Sequence, residues 1–339
     1  MKKLFNYIVL ILMSIQPLSA GATAAVGTSA PSAPSGTTSS SATKGLSVFG
    51  EFLYWNASEQ TDSIWANDIG FPSTNHVTYS TPNTKFNWSS GFRGGISYAF
   101  PHFWDVKLYW THAPTQRKIN YDAGSNHLLT PEFFSGFLSG DIFSSASVDW
   151  QIAMNTIDLA ISHKLNLTKS LSISPSIGLR EATINQTINT GWNATLFTIP
   201  LYSSTEVVKN NFSGVGPSFG LDGEWNFYKG FSFVGNFSTA LIWGHWNVSD
   251  TYSRPTALSG LVKSTTITTK MTDAKLGTPM FQYFLGLQWS YQSTYQVKFL
   301  LGYEMQYWAN QLRAPTFQLL PLHGDLTLQG GTCGISIGL

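Results

Sequence analysis

Ten stretches of the chain alternate between apolar and polar residues, and this alternation constrains the fold most strongly. A spacing of one residue in two is the pattern of a β-strand whose two faces meet different surroundings. The runs lie at 46–54, 92–100, 106–110, 148–161, 171–180, 215–224, 231–243, 281–289, 297–307 and 326–339. The apolar face of these runs carries no charged residue. Such a face suits lipid, where a Lys or Arg at the midplane costs roughly 2–4 kcal/mol.

The opposite face of the runs carries charge. In a membrane barrel that face lines the interior, because successive side chains point alternately outward and inward. The sequence therefore predicts eleven lumen-facing charges. They are Glu51, Arg93, Asp105, Lys107, Asp149, Asp158, Arg180, Asp222, Glu224, Lys298 and Glu304.

Short and long connections alternate along the chain. Short turns are indicated near 101–102, 166–170, 227–230 and 292–293, and long loops at 57–86, 114–146, 187–207, 247–276 and 311–321. Short turns on one rim and long loops on the other are typical of outer-membrane barrels. The fold class predicted is all-β: a transmembrane antiparallel β-barrel of about ten strands. A weak pair of strands hidden in 187–207 or 247–276 would make it twelve.

Three irregularities interrupt the pattern. The phase of the alternation slips between Met154 and Ile157 and again at Gly330–Gly331, and Pro175 falls inside a run. A β-bulge shifts the phase of a strand by one residue, and proline is disfavoured in a paired strand. We therefore expect bulges near residue 155 and at Pro175.

Composition narrows the class of protein. Charged residues make up only 11% of the chain and mean hydropathy is −0.02, whereas soluble domains carry about 25% charge. No apolar run of the roughly 20 residues that a spanning helix needs follows the first 20 positions. The net charge of +1 argues against a nucleic-acid partner. A soluble β-sandwich with the same alternation remains the alternative.

The N-terminus has the pattern of an export signal. Lys2 and Lys3 precede an apolar stretch at 4–18, and Ala20, Ala22 and Ala24 offer small residues for cleavage. We predict a signal peptide at 1–22, cleaved near Ala20–Ala24, a flexible Ser/Thr/Pro/Gly spacer at 23–45 and a barrel at 46–339. A single anchoring helix is the alternative reading.

Several segments along the barrel resemble a known family. They are EFLYW at 51–55, GFR at 91–93, NFSGVGPSFGL at 211–221, GFSFVGN at 230–236, LGLQW at 285–289, GYEMQYW at 302–308 and GDLTLQG at 324–330. The chain is similar to the pore-forming outer-membrane proteins typified by the Legionella major outer membrane protein, and especially to the related group of chlamydia-related bacteria. The resemblance implies a barrel that conducts small solutes. It implies no catalytic residues, and the cross-linking cysteines of true chlamydial porins are absent, since Cys333 is the single cysteine.

Three functions follow from this reading. The first is a porin-like channel for passive diffusion of small hydrophilic solutes or ions, where seven inward acids against four bases would favour cations. The second is a non-conducting structural or surface-interaction barrel that acts through its long loops, with the interior charges paired across a plugged lumen. The third is a hydrolase with its site on the rim.

Chemistry other than transport has little support in the sequence. The seven histidines do not fall at metal-ligand spacing. The G-x-S-x-G at 334–338 ends the chain, so the acid and His that should follow are missing. We expect no enzyme activity, no cofactor and no metal. Expected partners are outer-membrane lipid and lipopolysaccharide, the barrel-assembly machinery, small solutes and a second copy of the chain. The expected location is the bacterial outer membrane.

Overall fold

The computed structural model of this protein describes most of the region predicted to be a barrel. The described residues are 45–60, 65–73, 76–80, 85–101, 104–131, 143–196, 199–258, 261–314 and 322–339. The predicted signal peptide and nearly all of the predicted spacer lie outside these residues and stay predictions.

Fourteen strands are present in the described part. They are β1 (Gly45–Glu59), β2 (Ala66–Ser73), β3 (His76–Ser80), β4 (Ser89–Ala99), β5 (Trp104–Asp122), β6 (His127–Pro131), β7 (Ser145–His163), β8 (Leu165–Asn166), β9 (Leu171–Leu196), β10 (Ile199–Tyr228), β11 (Phe231–Leu258), β12 (Leu261–Gln292), β13 (Gln296–Ala314) and β14 (Leu322–Gly338). Within the same ranges, no helix is long and apolar enough to cross a membrane.

Ten of the strands close into an antiparallel barrel. Their order around the wall is β1-β4-β5-β7-β9-β10-β11-β12-β13-β14, and β14 pairs with β1 to close the ring. The predicted ten-stranded barrel is confirmed, and the soluble sandwich alternative is wrong. Strands β2, β3 and β6 form a separate small sheet, and β8 pairs briefly with β9.

Short turns lie at one end of the barrel and long connections at the other, as the sequence predicts. Two of the five predicted long loops, however, are strands. The regions 187–207 and 247–276 continue as β9–β10 and β11–β12, whose members are 26 to 32 residues long. A tilted strand needs only about 9–11 residues to cross a bilayer. These two hairpins therefore extend far beyond the apolar band at the short-turn end, which is the part of the wall that can lie in the bilayer. They lengthen the existing barrel strands and do not add new ones.

The apolar side of the wall changes from the outside to the inside along each long strand. In β9, Ile177 and Leu179 are exposed on the outer face, whereas Asn185 occupies that face further up. The inner face of β9 carries Arg180 in the band and the fully buried Ile184 above it. The barrel thus has an apolar exterior at the short-turn end and an apolar interior at the long-loop end.

This change of side explains the phase slips, and no bulge is needed. Strand β7 pairs with β5 and β9 without a register shift, and β14 pairs in register through Gly330–Gly331. The prediction of a bulge near residue 155 is wrong, because Trp150 and Met154 point into the upper barrel while Ile157 and Ile161 point outward lower down. The run at 148–154 is therefore an interior face, not the lipid-facing one that the sequence suggested.

Pro175 also lies in a regular ladder. It pairs with Leu221 of β10 with no shift in register, and its ring lies on the exposed outer face of β9. The bulge expected at this position is therefore not found. Register shifts in the barrel occur elsewhere, between Pro200 and Tyr202, between Asn226 and Tyr228, between Ile242 and Gly244, and between Trp308 and Leu312.

Because the apolar side changes along the strands, the cost of placing a charged residue on the outer face should depend on its position along the barrel axis. Leu301 lies on the outer face within the apolar band and is 65% exposed. We expect Leu301→Arg to lower the free energy of unfolding from lipid vesicles by about 2–4 kcal/mol. The matched change Asn185→Arg, on the outer face above the band, should cost less than about 0.5 kcal/mol. Urea titrations followed by tryptophan fluorescence measure both, and equal losses would contradict the assignment of the band.

Candidate functional site

The interior of the barrel is the candidate site, and it holds ten of the eleven predicted charges. Alternation along unshifted strands puts these ten on the inner face. They are Glu51, Arg93, Asp105, Lys107, Asp158, Arg180, Asp222, Glu224, Lys298 and Glu304. Five of them meet in one buried cluster, and the others lie nearer the short-turn end.

Asp149 is the exception, and its assignment to the lumen is corrected. It lies on the outer face of β7, between the buried Val148 and Trp150, and forms an ion pair of 3.1 Å with the exposed Lys118. Although partial burial opposes ionisation, hydrogen bonds from Gln116 and Lys118 hold the pKa of Asp149 below its ordinary value. The error has the same cause as the predicted bulge, since this part of β7 has its apolar face inward.

Arg93 of β4 is the centre of the buried cluster. Its guanidinium donates to Glu51 Oε2 of β1 at 2.7 Å and to Glu304 Oε1 of β13 at 2.6 Å. A further bond of 3.0 Å joins Arg93 Nη1 to Glu304 Oε2, so that the contact with Glu304 is bidentate. Glu304 is almost fully buried, and bidentate pairing is what makes a charge tolerable there.

The cluster continues from Glu304 to the opposite wall. Gln282 of β12 donates to Glu304 Oε1 at 2.9 Å and accepts from Arg180 Nη2 of β9 at 3.1 Å. Arg180 in turn forms a buried ion pair with Asp158 of β7. The chain of contacts from Glu51 to Asp158 thus crosses the lumen completely, and we call these six side chains the transverse network.

A polar cavity lies below the transverse network. It has a volume of about 260 Å³, and Arg93 and Glu304 form part of its lining. Lys107 stands over the Phe49 ring at 4.5 Å, and Asp222 accepts a hydrogen bond of 2.7 Å from Asn236. The cavity opens toward the short-turn end, because Lys107 and Asp222 are exposed although they lie on the inner face. We call it the vestibule.

The mouth of the vestibule carries charges of both signs. Lys164 forms an ion pair of 3.1 Å with Glu224, and Asp105 and Lys298 lie on the inner face at the same end. The predicted charges near the mouth include one acid more than bases, and Lys164, which was not predicted, offsets it. The transverse network keeps three acids against two bases.

Apolar side chains fill the barrel above the transverse network. Trp150, Trp192, Trp246 and Trp308 are each at most 1% exposed. The facing walls touch there, since Asn210 of β10 donates to a backbone carbonyl of β13 at 2.6 Å. Two strands separate β10 from β13 along the wall, so this contact crosses the interior.

Sequence reasoning missed several buried charges in this upper region. Arg117 lies between the rings of Trp150 and Phe86, at 4.9 and 5.1 Å, and Arg313 stacks on Trp246 at 3.8 Å. Further buried acids are Glu59, Glu206 and Asp250. The signal for Glu206 and Asp250 was present, because the alternation of β10 and β11 continues through the regions taken for loops.

The small sheet at the long-loop end has its own polar contacts. Asp68 of β2 accepts a hydrogen bond from Tyr121 of β5 and lies 2.8 Å from His127 Nδ1 of β6. The hydrogen bond to Asp68, together with partial burial, raises the pKa of Tyr121 to about 12. Asp68 is buried, so these contacts fasten the small sheet to the barrel wall.

Comparison with known proteins identifies the family. Residues 38–338 match the family described as Legionella pneumophila major outer membrane protein precursor. The chain belongs to this family. It is therefore a bacterial outer-membrane β-barrel, as the resemblance of its segments implied. In such barrels the short turns face the periplasm and the long loops face the outside of the cell, so the vestibule is periplasmic and the aromatic region extracellular.

Solved structures of other outer-membrane barrels are similar to this member of the family at low identity. The outer membrane protease OmpT from Escherichia coli is 10% identical, with 87% of this chain and 97% of that chain covered and a TM-score of 0.42. A FadL homologue of Pseudomonas aeruginosa is 7% identical, with 87% and 90% covered and a TM-score of 0.30. The monoaromatic hydrocarbon channel CymD is 9% identical, with 87% and 89% covered and a TM-score of 0.34. Such low scores carry no argument about function. No curated protein matches the chain.

The transverse network makes Glu304 a sensitive position in this family member. Glu304→Gln leaves the buried Arg93 with Glu51 as its remaining acid. We expect a loss of about 3 kcal/mol in the free energy of unfolding, since removing one partner leaves a buried charge undercompensated. Asp149→Asn removes an ion pair on the outer surface, with the exposed Lys118, and should cost at most about 1 kcal/mol. Urea unfolding of the refolded barrels compares the two, and similar costs would mean that the network contributes no more than a surface pair.

Proposed function

We propose that this barrel is closed to passive diffusion in the conformation described, and that it serves as a structural protein of the outer membrane with its long-loop end exposed outside the cell. The observation that carries this proposal is the stack of two filled layers across the lumen. The transverse network forms the lower layer and the buried tryptophans form the upper one.

The size of the barrel supports a closed lumen. Eight strands enclose just enough space for side chains, whereas open channels have 16–18 strands. Ten strands bring opposite walls within reach of long side chains, as the hydrogen bond from Asn210 to the carbonyl of Gln311 illustrates. A hydrated ion has no path between packed aromatic rings unless they move, so conduction would require a rearrangement of the upper layer.

A porin-like channel for small hydrophilic solutes is the second candidate. The vestibule favours it, because a charged cavity of about 260 Å³ already occupies the periplasmic half. The resemblance to pore-forming proteins favours it as well. In this candidate the Arg93–Glu304 contact and the tryptophan layer would separate to join the vestibule to the outside, and interior charges would set selectivity by their local field.

Single-channel conductance in planar bilayers separates the two candidates. For the closed barrel we expect heat-modifiable, membrane-inserted protein that gives no ohmic steps. Porin activity would appear as discrete ohmic steps whose ion preference changes in Glu304→Gln, which alters the network, and not in Asp149→Asn, which alters the outer surface. Permeability can be measured independently by placing protein-containing vesicles in a solution of a small sugar and following whether they swell.

The remaining roles are proposals that rest on the sequence. We propose that the protein is not an enzyme and uses no cofactor. Its proposed partners are outer-membrane lipid and lipopolysaccharide around the apolar band, the barrel-assembly machinery during insertion, and a second copy of the chain. Lipid and lipopolysaccharide are supported by the exposed apolar residues of the band, among them Leu301, Ile177 and Phe237.

A further inference from the structure

Two acidic side chains lie together in the extracellular part of the barrel interior. Glu206 of β10 stands directly opposite Tyr252 of β11, and Asp250 stands opposite Val208. The two acids are thus diagonal neighbours on one face, a separation that long side chains bridge. Both are fully buried. They lie well above the apolar band, whose upper limit on the outer face of β11 is near Trp243.

The carboxylate oxygens of this pair are poorly satisfied. Both oxygens of Asp250 and Oε1 of Glu206 are buried and find no side-chain partner other than each other, and the Thr251 backbone is the further contact of Asp250. Oε2 of Glu206 accepts a bond of 3.2 Å from the Thr190 hydroxyl. Among the described residues, no basic side chain forms a salt bridge with either acid.

Hydroxyl groups surround the acids. Thr190 of β9 stands opposite Glu206, and its hydroxyl accepts a bond of 2.9 Å from Trp192 Nε1. Ser204 precedes Glu206 by two residues on the same inner face, and its buried hydroxyl oxygen has no partner. This second observation is independent of the acids, because a serine oxygen at 1% exposure ordinarily finds a hydrogen bond.

The geometry points to a site for a hard divalent cation of the calcium type, formed by Glu206 and Asp250 and completed by the hydroxyls of Ser204 and Thr190. Calcium takes six to eight oxygen ligands in a flexible arrangement, so water or backbone carbonyls would complete the shell. A cation would offset the charge of two buried acids that form no salt bridge with a base in the part of the chain that the structure describes. Within the described ranges, no group of three or more His, Cys, Asp or Glu side chains could hold a metal, so the site depends on its hydroxyls.

The alternative occupant is a proton shared between the acids. Burial raises the pKa of Asp250 to about 7 and that of Glu206 above its ordinary value, with Asp250 adding repulsion. In the absence of a cation, the folded protein would therefore retain a proton that the unfolded chain releases above its pKa of about 4. Stability would then fall as pH rises from about 4 through 7, and a bound cation would abolish this loss.

Terbium luminescence tests the site directly. Terbium replaces calcium at oxygen sites, and Trp192 lies two hydrogen bonds from Glu206, close enough to sensitise its emission. For the refolded full chain at pH 7.5 we expect saturable emission that calcium displaces, with a dissociation constant for calcium on the order of 10⁻⁴–10⁻³ M, as in extracellular modules. Glu206→Gln and Asp250→Asn should each weaken binding at least about tenfold, because each removes a charged ligand.

Asp149→Asn is the matched control, since it removes an acid from the outer face of the same extracellular part and should leave the emission unchanged. Wild-type protein without saturable emission, or with emission that Glu206→Gln and Asp250→Asn leave intact, would overturn the cation site. If the two amide variants fail to refold, the wild-type protein tests the site. Calcium must then displace terbium, and the midpoint of urea unfolding must be higher in calcium than in EDTA. A midpoint that is unchanged by calcium overturns the proposal in favour of the shared proton.

Discussion

The solvent outside the barrel changes from lipid to water part-way along the wall, and the rest of the structure follows from this. Apolar side chains must leave water, so they face outward where lipid surrounds the wall and inward where water does. Both halves keep the period of two, because it belongs to the strand itself. A single unbroken strand such as β7 can therefore present Ile157 to lipid and Trp150 to an interior core, with no change in its backbone.

The same constraint decides how the interior is filled. In the lipid-surrounded half the inner face is polar, and its buried ions must be paired because an unpaired charge away from water is costly. Arg93 and Arg180 are satisfied by acids and by Gln282 from across the lumen. In the upper half large aromatic and aliphatic side chains occupy much of the inner face, with a few buried polar and charged groups among them, and ten strands are few enough for opposite walls to pack together. A polar vestibule, a charged layer and an aromatic core therefore follow one another along the axis.

The strands could be predicted from the sequence where lipid excludes charge from the outer face, and they were missed where water surrounds the wall. The uncharged outer faces of the band identified all ten barrel strands. Above the band the outer faces of β9 to β12 carry Thr, Asn and Ser, which are compatible with a loop, so the hairpins beyond residues 187 and 247 were missed. The error at Asp149 and the expected bulge near residue 155 share this origin, because one apolar run was read as facing lipid along its whole length.

The sequence by itself determined the period, the number of strands, the uncharged belt and the inner position of most of the charges. These properties depend on local alternation and on the cost of placing charge in lipid, both of which a single chain displays. Only the tertiary structure decided that Arg93 meets Glu304 and that Arg180 meets Gln282, because these partners are 211 and 102 residues apart. It also decided that buried tryptophans from several strands come together above the transverse network, since this depends on how closely a closed ring of ten strands brings its walls together.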